Sequence, residues 1–220
     1  MYISAMKIDI VSDTVCPWCF IGKRKLEKAL AERPDLDVEI SWHPFQLHPD
    51  MPREGADRRE FTAMKFGSKD RAKAIYDNIR AAGETVDIPF QFEKIERSPN
   101  TLDSHRLIRW SWSAGCQDAL VEILFRRFFI DGEDIGSRDV LIAAAAEAGM
   151  DTEIVADLLE KEADSKEVSA EDLHAREIGI SGVPVFILDN KYALSGAQDP
   201  AAFLAAFEKI AAEQAAGASE

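Results

Sequence analysis

Cysteine is scarce in this chain. Three residues, Cys16, Cys19 and Cys116, among 220 are too few for a secreted scaffold stapled by disulfides. No apolar run approaches the roughly 18 residues a membrane span needs, and the start, MYISAMKIDIVSD, lacks the basic and apolar blocks of an export leader. Basic residues are outnumbered as well, 26 against 40 acidic ones, for a net charge of −14. A surface this acidic repels phosphate backbones and anionic lipid, so neither nucleic acid nor membrane is expected as a partner. There is no repeat and no low-complexity linker. What remains is a globular protein, 46% apolar and 30% charged, expected in the cytoplasm. In that reducing compartment two close cysteines are more often catalytic or metal-binding than structural.

Two of the three cysteines fall in one stretch, SDTVCPWCFIGKRKLEKAL, residues 12–30. Before it, residues 7–11 (KIDIV) form a β-branched strand. Ser12, Asp13 and Thr14 are turn and cap types, and Pro17 suits a first helical turn, where its missing N–H costs nothing. Phe20, Ile21, Leu26, Ala29 and Leu30 supply a buried helix face; the Lys23–Lys25 run reads as a solvated one. A strand over 36–42 (LDVEISW) follows, making β-α-β with the cysteines at the strand-to-helix junction. The other end reads β-β-α: strands over 183–188 and 191–195 around an Asp189-Asn190 turn, then a helix opened by Asp199-Pro200 whose last ten residues, AAEQAAGASE, are expected to fray. Between these ends the pattern predicts helices over 58–66, 69–82, 100–114, 117–130, 138–148, 152–161 and 166–178, with glycines at the breaks and an extended stretch over 86–95.

Three readings of Cys16-x2-Cys19 compete. A metal site would draw on His43 and His48, but about 23 residues separate Cys19 from His43, against roughly 12–15 in a zinc finger, and they hold a helix and a strand. No metal is expected. Two ordinary core cysteines would not call for Pro17 or the polar approach of Asp13 and Thr14. A redox pair fits best. At the helix start the N–H groups and the positive end of the dipole favour thiolate at an exposed Cys16, and Cys19, three residues on, is within reach to resolve a mixed disulfide. Downstream, GISGVPVFIL (179–188) sets Pro184 at a strand start; an ordinary trans bond is one reading, and a cis bond that opens the Val183 backbone to an incoming chain is the other.

Among the remaining candidates, Asp13 is placed to tune Cys16 or carry a proton, or simply to cap the helix. His43, His48 and His174 show no catalytic partner. Cys116 reads as a lone structural thiol. Trp110, Trp112, Phe125, Phe128 and Phe129 read as helical core.

The strand, CxxC, helix and strand, with a distant Gly-Val-Pro hairpin and final helix, resemble the thioredoxin pattern interrupted by a helical insertion. Together with PFQLHPDMP (44–52), NTLDSHRLIRW (100–110), LFRRFFIDGEDIG (124–136) and GVPVFILDNKYALSGAQ (182–198), they make the chain similar to the DsbA family, in its FrnE-like branch. That branch is related to 2-hydroxychromene-2-carboxylate isomerases and kappa-class glutathione transferases. The resemblance implies an α/β thioredoxin fold, residues 1–50 plus 179–220, carrying a helical subdomain over 51–178. It implies Cys16 as nucleophile, Cys19 as resolving thiol, and a cis Val183–Pro184 facing substrate beside Pro17 and Trp18. Asn100 and His105 lie in the region that borders the site in glutathione-using relatives; His105 also reads as a satisfied histidine at a domain seam. Trp18 stands where periplasmic DsbA proteins carry histidine, and Cys16 where the isomerases carry serine. The expectation is a thiol–disulfide oxidoreductase needing no bound cofactor beyond its own cysteine pair, with thiols and disulfides of proteins or small molecules as partners, glutathione among the co-substrates, and a monomer or homodimer as the assembly. A glutathione-dependent isomerase or transferase for a small aromatic or polyketide-like molecule is the alternative, and a redox-sensing or chaperone-like binding protein the third.

Overall fold

A computed structural model describes residues 5–217. An interior strand organises the sheet. β1 (Met6–Ser12) pairs in parallel with β2 (Val38–Pro44) on one side and antiparallel with β5 (Val185–Leu188) on the other, and β5 continues into β6 (Tyr192–Ser195). The order is β2-β1-β5-β6. Because strand side chains alternate, Met6, Ile8 and Ile10 face one side and are buried against α1 (Pro17–Ala31) and α9 (Pro200–Gly217), with Phe186, Leu188, Phe203 and Phe207. Each fully buried side chain of this kind contributes roughly 1.5–3 kcal/mol. Val11 and Val185 point the other way into a small cluster with Phe45 and Ala175.

Between β2 and β5 run seven helices: α2 (Arg58–Phe66), α3 (Lys69–Glu84), α4 (Leu102–Ser113), α5 (Gln117–Arg126), α6 (Arg138–Glu147), α7 (Thr152–Glu160) and α8 (Ser165–Glu177). Phe20 of α1 ties them to the sheet: its ring stacks on Phe125 at 5.1 Å and meets Phe90 edge-on at 6.1 Å.

Several sequence expectations need correction. The stretch 86–95 is a turn and a 3₁₀ turn at Phe92–Lys94, because Phe90 and Phe92 fold inward to stack on each other at 5.0 Å. A short ladder of β3 (Ala56–Asp57) with β4 (Arg97–Ser98), too brief to leave a periodic trace, pins α2 in place. The helix expected over 117–130 changes to π geometry over Arg127–Asp131. Of the terminal stretch expected to fray, 211–217 finishes α9; residues 218–220 lie outside the described part. Lys23 is no solvated side chain. It is 3% exposed and packs at the α1–α5 seam against Glu27, Asp118 and Glu122, which three carboxylates make tolerable for a buried ammonium. Trp112 is exposed rather than core, and Trp110 is half-buried with its indole N–H on Asp164.

Candidate functional site

The β1–α1 junction forms the site. Asp13 O accepts the N–H of Cys16, Cys16 O accepts the N–H of Cys19, and Cys16 is the N-cap of α1 with Pro17 as first helical residue. Cys16 therefore sits where unsatisfied N–H groups and the dipole favour an anion, typically by 0.3–1 kcal/mol at a helix end. Contrary to the expectation of an exposed thiol, Cys16 is only 4% exposed, because the Val183 loop covers it; its Sγ lies 3.6 Å from Val183 O. The Val183–Pro184 peptide bond is cis. Cys19 is deeper still. Burial, and then the adjoining Cys16, push its thiol well above the usual range, against the Ser12 hydroxyl and Asp13 N–H that favour its thiolate. Trp18, by contrast, is 41% exposed at the rim. Gly22, one turn into α1, lets the proline loop approach: a Cβ there would lie 2.9 Å from the Phe186 ring and 3.1 Å from Pro184.

In front of Cys16 opens a cavity of about 300 Å³, roofed by α2 and α3. Most of its wall is apolar, including Leu47, Met51, Phe61, Ile79 and Phe129, but three basic groups interrupt it. Arg58 donates to Tyr76 Oη at 2.7 Å and Ser98 Oγ at 3.2 Å. Lys65 Nζ is 2.9 Å from His48 Nε2. Burial and the Lys65 charge hold His48 below its ordinary pKa, so the ring is neutral near pH 7 and accepts from the ammonium. Lys65 is itself lowered, by burial and by Arg58, while the charges of Cys16 and Asp13 pull it up. Lys65 and Cys16 line the same cavity, which sets a cation on the thiol's open side.

Arg58, Lys65 and His48 were not singled out as site residues from sequence: Arg58 and Lys65 fall in a segment read only as a helix, and His48 was weighed only as a metal ligand. Of the residues that were, Asn100 stands two residues ahead of α4 rather than within it. Its Nδ2 donates to Met51 O at 2.6 Å and its Oδ1 accepts the Leu102 N–H, so it holds a cavity wall. Asp13 is not a helix cap. Its Oδ2 accepts the Leu47 N–H at 2.7 Å, because the side chain turns away from α1 toward the β2–α2 loop. His105 is buried at the seam, its Nε2 3.3 Å from Asp13 Oδ1. His43 bonds Asp9 at 2.7 Å and lines other cavities, so the two histidines of the metal reading do not converge on the cysteines. His174 is exposed, and Cys116 is a half-buried thiol at the α5 start, raised by burial.

The profile of one protein family, described as DSBA-like thioredoxin domain, matches residues 7–208. A probable DsbA oxidoreductase from Streptomyces coelicolor shares 33% identity and superposes with a TM-score of 0.84 over 93% of this chain and 89% of its own. An uncharacterized Bacillus subtilis protein, YwbO, is 27% identical over 82% of this chain and 86% of its length. The cytosolic disulfide reductase DsbM from Pseudomonas aeruginosa, solved with GSH, has the same fold at 16% identity and a TM-score of 0.65, covering 92% of this chain and 98% of its own.

Proposed function

On the premise that this chain belongs to the DSBA-like thioredoxin domain family, we propose that it is a thiol–disulfide oxidoreductase working through the Cys16-Pro17-Trp18-Cys19 pair. Cys16 thiolate attacks a substrate disulfide, forming a mixed disulfide and releasing one thiolate. Cys19 then loses its proton and attacks the Cys16 sulfur, which closes the Cys16–Cys19 disulfide and expels the second thiolate. Two electrons pass to the substrate, and the reverse sequence oxidises a dithiol. The asymmetry of the two thiols carries this reading. Cys16 stands at the helix head on a cavity beside basic groups, and Cys19 is buried behind it with a raised pKa, which suits an attacking and a resolving partner. Val183 and Pro184, with Pro17 and Trp18, would line the substrate's approach.

Partners are small-molecule or protein thiols and disulfides, and the cytosolic disulfide reductase DsbM among the similar structures supports the cytoplasm as the compartment. The pair itself stores the electrons, so no other cofactor is called for. The test is turnover of a model disulfide by Cys16→Ser: loss of activity with an intact fold supports the proposal, and full turnover ends it.

One observation favours a second reading, a glutathione-dependent isomerase or transferase for a small aromatic molecule. The cavity is small and mostly apolar, a better match to such a molecule than to a polypeptide. Saturable glutathione binding by calorimetry, with no disulfide turnover, would select it.

A further inference from the structure

Arg58 is a half-buried cation without a counter-ion. Among the described residues its guanidinium makes hydrogen bonds only to neutral hydroxyls, Tyr76 Oη at 2.7 Å and Ser98 Oγ at 3.2 Å, which leaves most of its N–H donors open. Arg24, Arg80, Arg106, Arg127 and Arg176 are shielded as much or more, and each of them holds a carboxylate. Supply is not the reason, since acidic residues number 40 against 26 basic ones. Lys65 repeats the pattern. Its ammonium meets the His48 ring at 2.9 Å and lies 5.7 Å from the Phe61 and Phe66 rings, again with no carboxylate among the described residues. Shielding a cation without a partner costs free energy, and an anion brought by a ligand offsets that cost.

Both cations lie on one face of α2. Arg58, Phe61, Thr62 and Lys65 follow the i, i+3, i+4, i+7 spacing that a core-packed helix fills with apolar residues, and all four line the cavity before Cys16. The remaining wall is largely apolar: Phe92 stacks on Tyr76 at 4.7 Å, with Ile79 and Phe129 beside them. A neighbouring cavity of about 590 Å³ between α2 and α3 shares Arg58, Thr62, Tyr76 and Phe92 with this one. Arg58 thus stands where the two spaces meet.

We propose that the substrate is a small disulfide with an apolar or aromatic body and a carboxylate, the carboxylate held by Arg58 and Lys65 while the sulfur faces Cys16. The inference rests on the thiol-exchange reading and names the substrate class of that site. The planar guanidinium fork matches a carboxylate, the Lys65 ammonium adds charge, and the rings of the wall take the apolar body. Arg58 and Lys65 are specificity-determining residues here and leave the sulfur chemistry to the cysteines. A neutral disulfide would leave both cations uncompensated, and a cationic one would be repelled.

The experiment uses the reduced full chain in two arms. In the first, calorimetry measures the binding of naphthoate and of its neutral amide, naphthamide, neither of which contains sulfur. Naphthoate should bind the wild type at least about tenfold more tightly than naphthamide, as expected of hydrogen bonds to a charged group. Arg58→Gln should lose that preference and Arg58→Lys should recover part of it. In the second arm, reduced protein is mixed with dithiobis(nitrobenzoate), which carries carboxylates, or with the uncharged dithiodipyridine. The ratio of their rates should fall at least about tenfold in Arg58→Gln; any effect of the substitution on Cys16 itself acts on both reagents and cancels. Equal binding of naphthoate and naphthamide, no binding of naphthoate, or an unchanged preference and rate ratio in Arg58→Gln would overturn the proposal. Selective naphthoate binding with neither disulfide consumed by the wild type would uphold the anion site and count against the thiol-exchange reading instead.

Discussion

Cys16 Sγ and Val183 O stand 3.6 Å apart, although 167 residues separate them in the chain. The carbonyl shields the thiol from water on one side while the cavity leaves it open on the other, so a disulfide must arrive from the α2 side. With Cys19 buried behind Cys16, the two thiols should fail differently when removed. Cys16→Ser is expected to show only background exchange. Cys19→Ser should attack substrate normally and then stall, accumulating a mixed disulfide at Cys16 that mass spectrometry of the intact protein detects. Equal accumulation in both variants would contradict the assignment.

Lys65 lies beside the cavity mouth and is coupled to Cys16 by charge. The Lys65 side chain is exposed although its ammonium is partly desolvated, so removing it should matter modestly, as surface ion pairs contribute about 0.2–1 kcal/mol. Alkylation of Cys16 in Lys65→Ala near neutral pH is expected to slow by about 1.4- to fivefold, the same energy expressed as a rate. Raising ionic strength should shrink the difference between variant and wild type, since screening acts on exposed charges.

Gly22 brings α1 against the proline loop. In Gly22→Ala the new methyl would meet the Phe186 ring and Pro184 inside van der Waals range. The expected cost is about 1–3 kcal/mol of stability, the usual penalty of overpacking, seen as a lowered urea midpoint at unchanged slope. Displacement of Pro184 should also slow disulfide exchange. A variant as stable and as active as wild type would show that the loop has room to move.

Lys23 is buried and its pKa is raised: desolvation works against its charge, and Asp118, Glu27 and Glu122 more than restore it. A raised folded pKa means stabilisation fully present below the unfolded value near 10.4 and lost as pH climbs through the folded one. Glu27 moves the other way: its folded pKa is lowered, through Lys23 and Arg24 bonding against desolvation, so its share is present above the unfolded value near 4.3 and lost as pH falls through the folded one. Lys23→Ala is expected to cost about 3 kcal/mol in urea titrations near neutrality, flat from about pH 6 to 9 and shrinking in acid as the carboxylates protonate. A cost that persists undiminished in strong acid would mean that packing, not charge, holds the seam.

What the chain determined by itself was local. The strand before the cysteines, the helix that begins on Pro17, the hairpin around Asp189 and Asn190 and the spacing of the helices all follow from patterns a few residues long, since hydrogen bonding and side-chain alternation in each element depend on neighbours. The family resemblance added what those patterns cannot carry, the partnership of Cys16 with the Val183–Pro184 loop. Only tertiary structure decided the rest. Lys23 looked like any helix-face lysine until α5 placed Asp118 and Glu122 over it. Lys65 and His48 carry no pairing sign in sequence, and α2 buries none of its residues because it roofs a cavity rather than filling a core. Asp13 and His105, plausible singly as a cap and a seam residue, became a facing pair because α4 crosses behind the β1–α1 loop. Charge, burial and proximity at such places are set by elements that meet from opposite ends of the chain, and no window on the sequence spans that meeting.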